Sequence, residues 1–189
     1  EEQLEKDYTK EFEDQYPDAH EELDENLPDA LIDEMEITVF VDSDYAHDKV
    51  SRRSITGLLI FVGRTPVFYF SERQGAIETS TYGAEFWAMK TAVEEVISVK
   101  YMLRCLGVKV TAATRVYGDN MGVVQNATIK DSLLKKKHVA ISYHKVREAA
   151  AAGIVHPAKT PGIFNFADVL TKCQTLKAFC TLVGGFMSG

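Results

Sequence analysis

Ile37-Thr-Val-Phe-Val-Asp42 decides how the rest of the chain is read. Five β-branched or aromatic residues suit a buried strand, and they run straight into a carboxylate. The arrangement recurs further along. Asp119 follows Thr114-Arg-Val-Tyr-Gly118, Glu85 stands at the opening of a long amphipathic segment, and Asp168 lies in Asn165-Phe-Ala-Asp-Val-Leu170. Acids at strand ends and helix starts can converge even when far apart in sequence. Carboxylates gathered without a cation repel one another, and a divalent ion removes that repulsion. Oxygen-only ligands favour Mg²⁺ or Mn²⁺ over zinc. Two such ions flanked by carboxylates catalyse in-line attack of water on a phosphodiester. Taken singly, the same acids also read as solvated groups at element ends and helix N-termini. Asp44 is a nearby acid left outside the ligand set.

Outward from this strand, Ile55–Val62 reads as a second strand and 66–71 as a third, with a hairpin turn at Gly63-Arg-Thr65. Met89, Ala92, Val93, Val96, Val99 and Leu103 recur at helical spacing until Gly107 ends the run. A fourth strand is expected within 110–118, a short helix over 120–127, a second long helix over 138–152 and a fifth strand over 154–159. A helix carrying Asp168 follows, then an outer helix over 175–183. Three strands in succession, then strands separated by helices, imply an α/β fold: a five-stranded mixed sheet flanked by helices.

Charge is distributed unevenly. The net is −7, yet residues 1–36 hold 16 Asp or Glu against Lys6 and Lys10, a net of −14. Residues 37–189 hold the other 12 acids and 19 bases, a net of +7, as phosphate binding requires. The acidic segment 1–36, with Pro17 and Pro28, reads as a flexible or peripheral leader. Leu4, Tyr8 and Phe12 at helical spacing leave open a docked helix instead. Residues 37–175 form the domain proper and 176–189 a helical tail. Cys105, Cys173 and Cys180 have no CxxC spacing and read as reduced, partly buried thiols of an intracellular protein. No apolar run reaches membrane-spanning length, so no membrane partner is expected.

Several motifs in order carry a family resemblance. They are Val41-Asp-Ser-Asp-Tyr-Ala-His-Asp48, Arg53-Ser-Ile-Thr-Gly57, Ser71-Glu-Arg-Gln74, Glu78-Thr-Ser-Thr-Tyr-Gly-Ala-Glu85, Gly118-Asp-Asn120, Lys137-His138, Tyr143-His-Lys-Val-Arg-Glu148 and Ala167-Asp-Val-Leu-Thr-Lys172. The chain resembles the ribonuclease H domain of copia-type LTR retrotransposon polyproteins. The resemblance implies the ribonuclease H-like fold and a metal-dependent endonuclease that cuts the RNA strand of an RNA–DNA hybrid during reverse transcription. It implies two Mg²⁺ or Mn²⁺ ions on Asp42, Glu85, Asp119 and Asp168, which match the family's four carboxylate places one by one. It also implies a partner in the reverse transcriptase domain of the same polyprotein, and a location in a cytoplasmic virus-like particle or the nucleus. The family often has Thr-Glu-Ala-Glu where this chain has Tyr82-Gly-Ala-Glu85. Residues 160–166 lack the loop histidine of cellular ribonucleases H.

Candidate substrate contacts are Arg53, Arg73 and Gln74 near the strand ends, Asn120 beside the third carboxylate, and Lys137 and His138 in a basic run. Asn120 could reach a 2′-hydroxyl or base edge and so distinguish RNA from DNA. His138 and His144 are six residues apart, which places them on different helical faces and argues against a zinc site. The competing reading is a captured retroelement domain that serves as a non-catalytic structural or nucleic-acid-binding subunit.

Overall fold

The computed structural model describes residues 7–132, 134 and 139–187. A short helix α1 (Tyr8–Glu11) precedes β1 (Ile37–Asp44), β2 (Ile55–Val62) and β3 (Thr65–Arg73). The chain continues through α2 (Thr81–Cys105), β4 (Thr114–Gly118), α3 (Met121–Thr128), α4 (Ala140–Ala151) and β5 (Val155–Lys159). It ends with a single turn α5 (Asp168–Thr171) and α6 (Leu176–Met187). The sheet order is β3-β2-β1-β4-β5. β1–β2 and β2–β3 pair antiparallel, whereas β1–β4 and β4–β5 pair parallel, so the expected mixed sheet is present.

Each face of the sheet is covered differently. Val39, Val41, Leu58, Ile60 and Val116 point to one side and are buried, together with Phe86, Met89, Ala92, Val93 and Val96 of α2. On the other face Phe40 packs its ring on Phe61, Tyr117 and Phe166, with Phe166 at 4.7 Å between centroids. α2 begins where the Ser80 hydroxyl accepts from the Gly83 N–H at 3.1 Å. It ends at Gly107, whose φ of +74° suits glycine. The single-turn α5 is tied to β1 by Asn165, a fully buried side chain whose amide donates to the Val41 carbonyl at 3.1 Å. Among the described residues, no helix is long and apolar enough to cross a membrane.

Of the leader, residues 7–36 are described and pack on the domain; Leu4 lies outside the described residues. Phe12 is wholly buried and Tyr8 nearly so, both within the main core. Arg147 of α4, itself 1% exposed, places its guanidinium 4.4 Å from the Phe12 ring centroid. Its N–H groups donate to the carbonyls of Asn126, Ile129 and Lys130 and to the Gln15 side chain. Further on, Glu21 takes both terminal nitrogens of Arg104 at 2.8 Å and lies 4.0 Å from the buried Lys100 ammonium. Backbone N–H groups of Leu31 and Met35 then donate to the carbonyls of Gly107 and Lys109. The acidic composition reads as flexible or peripheral, and the aromatic spacing leaves a docked helix open; burial of Tyr8 and Phe12 favours docking over the described residues.

β4 (Thr114–Gly118) lies within the expected 110–118. Residues 31–36 run as a strap beside the segment before it, where Glu34 accepts from the N–H groups of Thr111 and Ala112. The three cysteines are all exposed, which corrects the expectation of partial burial; Cys105 ends α2, Cys180 lies on the outer side of α6 and Cys173 in the link between α5 and α6.

Candidate metal centre

Three backbone elements bring acids together at one point, and a fourth acid joins them through a lysine. Asp42 sits near the C-terminal end of the central strand β1, Asp119 immediately after its parallel neighbour β4, and Glu85 in the first turns of α2. One oxygen from each of these three lies within 4.8 Å of the others. Asp42 is fully buried and Glu85 7% exposed, while Asp119 and Asp168 are half-buried. Asp168 opens α5 and reaches the cluster through Lys172. The Lys172 ammonium stands 3.1 Å from Asp168 Oδ1 and 3.1 Å from Asp42 Oδ2. The Thr171 hydroxyl also donates to Asp42 Oδ2.

Electrostatics shows what such a cluster demands. Two carboxylates at 4.8 Å repel by about 3 kcal/mol at an effective dielectric near 20. Glu85 responds by holding its proton. Burial, then the charges of Asp42 and Asp119, push its carboxyl up to about 9, against the pull of Lys172. Asp119 and Asp168 are raised as well, by burial first and Asp42 second. For Lys172, burial works to lower its pKa, but Asp42 and Asp168 overcome it and the ammonium stays charged. One ammonium cannot neutralise four carboxylates, whereas two divalent ions can. The donor set is all oxygen, so the residues fit Mg²⁺ or Mn²⁺.

This arrangement has a consequence for stability. Between 4.5, the ordinary Glu value, and about 9, the folded chain holds a proton on Glu85 that the unfolded chain has lost. Stability contributed by this group therefore falls as pH rises through that window. In chelator, the melting temperature is expected to decline from about pH 5 to about pH 9, and Mn²⁺ to raise it most at the alkaline end. A metal-induced shift independent of pH would contradict a proton and a metal competing for Glu85.

Close packing fixes the distal half of the site. Gly57 lies opposite Asp42 in the β1–β2 register. A Cβ there would meet Thr171 Cγ2 at 2.7 Å, Leu170 Cβ at 2.9 Å and the Ala167 carbonyl at 3.0 Å. α5 thus rests on bare backbone. The Ser71 hydroxyl adds a bond to the Leu170 carbonyl at 2.5 Å. Gly57→Ala is expected to lift α5 and with it Asp168, Thr171 and Lys172. Overpacking of this kind costs about 1–3 kcal/mol, and a displacement of about 1 Å at a reacting centre can cost up to a hundredfold in rate. Circular dichroism checks that the sheet survives, and the Mn²⁺-induced melting shift reads the site. An unchanged shift would show that α5 can move without consequence.

The proposed substrate contacts fare unevenly. Arg53 is half-buried and Arg73 exposed; both flank the cleft end of the sheet, and Arg73 Nη1 pairs with Asp48 at 3.3 Å. Asn120 lines the cleft with Asp119, Glu85 and Lys172, and its carbonyl oxygen caps α3 by accepting from the Val123 N–H at 3.3 Å. Gln74 is not a surface contact. It is 3% exposed, and its amide donates to Thr56 Oγ1 and the Ala84 carbonyl, fastening the end of β3 to α2. A polar residue after an exposed strand carries no sign of burial in sequence, which is why Gln74 reads as available. Lys137 and His138 lie outside the described residues. Asp44, left out of the ligand set, pairs with His47 at 2.5 Å. Sequence reasoning gave no role to Gly57, Asn165, Thr171 or Lys172. Their presence in quoted motifs was the only signal.

No family model matches the chain. The retrovirus-related Pol polyprotein from transposon RE1 of Arabidopsis thaliana is 26% identical over 145 residues, covering 77% of this chain and 10% of the polyprotein. That from transposon TNT 1-94 of Nicotiana tabacum is 29% identical over 133 residues, covering 70% of this chain and 10% of the polyprotein. The chain therefore spans about a tenth of the length of these relatives. Among solved structures, LC11-RNase H1, isolated from compost by a metagenomic approach, superposes with a TM-score of 0.56 at 18% identity, covering 72% of this chain and 92% of that one. RNase H1 from the halophilic archaeon Halobacterium salinarum NRC-1 superposes with a TM-score of 0.53 at 14% identity, covering 72% and 94%. The chain has the ribonuclease H fold, and the resemblance to transposon polyproteins read from its motifs is met.

Proposed function

We propose that this chain is a divalent-metal-dependent ribonuclease H that hydrolyses the RNA strand of RNA–DNA hybrids within a retrotransposon polyprotein. The observation that carries the reading is the convergence of Asp42, Glu85 and Asp119 within 4.8 Å, with Asp168 joined to them through Lys172. Likeness to transposon Pol polyproteins and to ribonuclease H structures supports it. Asp42, Glu85, Asp119 and Asp168 would hold two Mg²⁺ or Mn²⁺ ions. Bound there, such ions supply an activated water and neutralise the departing 3′ oxygen.

The chain's own residues do the rest. Asp42, fixed by Thr171 and by pairing with Gly57 of β2, is a rigid pivot shared by both halves of the site. Glu85 and Asp119 close one half, and Asp168 the other. No side chain acts as nucleophile, so products carry 5′-phosphate and 3′-hydroxyl ends. Arg53 and Arg73 meet backbone phosphate, which positions the hybrid without reading its sequence. Asn120 keeps its amide N–H groups free of the α3 cap and offers them to the 2′-hydroxyl side of the cleft. The reverse transcriptase domain of the same polyprotein supplies the hybrid, in a cytoplasmic virus-like particle or the nucleus.

The test is cleavage by the purified chain of an end-labelled RNA–DNA hybrid with Mg²⁺ or Mn²⁺, beside single-stranded RNA, double-stranded RNA and duplex DNA. Hybrid-specific scission giving 5′-phosphate ends is the expected result. Hybrid binding without scission in either metal would instead favour a captured, non-catalytic subunit.

A further inference from the structure

The carboxylate cluster contains a cation of its own. Lys172 Nζ lies 3.2 Å from Asp42 Oδ1, 3.1 Å from Asp42 Oδ2 and 3.1 Å from Asp168 Oδ1. Two cation positions can therefore be told apart. One is framed by Asp42, Glu85 and Asp119. The other, between Asp42 and Asp168, is where the ammonium sits. Lys172 is the extended residue that closes the single turn Asp168 opens, so its stem is anchored four positions from Asp168 and keeps the ammonium within reach of both carboxylates.

We infer that Lys172 is a tethered cation that holds the Asp42–Asp168 position until a divalent ion displaces it, so that the two metal positions fill in a set order. The inference deepens the metal-dependent reading above and rests on it. A divalent ion bound to both Asp42 and Asp168 would lie within a few ångströms of the ammonium, and like charges at that distance repel strongly. The Asp42–Glu85–Asp119 position fills first. The second ion enters only as Lys172 swings out, and it binds more weakly by the free energy of breaking the Lys172 pairs. The side chain can make that move, because it is 38% exposed and a lysine stem is flexible. Lys172 is thus a positioning residue that acts through metal occupancy.

The experiment is Mn²⁺ calorimetry on the full chain without nucleic acid, comparing the wild type with Lys172→Gln and Lys172→Arg. Lys172→Gln is expected to tighten the second binding step about tenfold, or to admit a second ion where the wild type takes one. The first step should change much less. Lys172→Arg keeps the charge and should bind the second ion no more tightly than the wild type. Melting in chelator confirms that both variants are folded. An unchanged or weakened second step in Lys172→Gln would overturn the inference, as would a tightened one in Lys172→Arg. Failure of the wild type to bind Mn²⁺ at all would overturn the metal-dependent reading itself. Binding by the wild type with identical isotherms for all three chains would remove only the role of Lys172.

Discussion

Asp42→Asn is expected to leave less than about one percent of hybrid cleavage, a loss of at least 2.7 kcal/mol of transition-state stabilisation. The amide keeps the shape of the side chain and its place on β1. What it removes is the charge shared by the two halves of the site. Asp42 is the fully buried member, and it lies in reach of Glu85, Asp119, Thr171 and Lys172 at once. An amide nitrogen in that position also directs N–H donors toward groups that need an acceptor. The Mn²⁺-induced rise in melting temperature should vanish together with activity, while circular dichroism stays native. If the variant cleaved at more than about one percent of the wild-type rate, Asp42 could not be the shared pivot.

The second large effect is on stability and lies far from the cleft. Phe12→Ala should destabilise the fold by about 3–5 kcal/mol, the usual range for emptying a buried aromatic site. For a chain of this size that corresponds to roughly a 10 °C fall in melting temperature. The loss has two sources. The Phe12 ring is wholly buried in the main core, and it is the surface over which the Arg147 guanidinium lies at 4.4 Å. Arg147 keeps its backbone acceptors in the variant but loses the ring that covers its face. Denaturant unfolding of the purified chain measures the cost. A value under about 1 kcal/mol would mean that the leader rests on the domain without contributing to it.

Sequence reading recovers what is local or repetitive. β1 to β3, the long α2 and β5 announce themselves through β-branched runs, a three- and four-residue stripe and glycine stops. The places of Asp42, Glu85, Asp119 and Asp168 follow from those elements and from motif order. What sequence does not display is contact at long range. Gly57 matters because α5, more than a hundred residues later, presses on it; nothing near Gly57 says so. Lys172 and Thr171 gain their roles only because α5 brings them back to β1, and Asn165 because its amide finds the Val41 carbonyl. Gln74 errs in the opposite sense, being polar in composition and buried in fact. In residues 7–36 the acids read as a flexible or peripheral segment and the spacing of Tyr8 and Phe12 as a docked helix; only the burial of those two rings tells the readings apart.

The strap across the far end of α2 also keeps charges apart along the molecule. Glu21 grips Arg104, while Glu85 stands at the opposite end of the same helix, about 28 Å away at 1.5 Å per residue. That separation is more than three times the screening length of about 8 Å at physiological ionic strength. The charge at Glu21 is therefore screened from the carboxylate cleft, and the net of −7 is a poor guide to the field at that cleft.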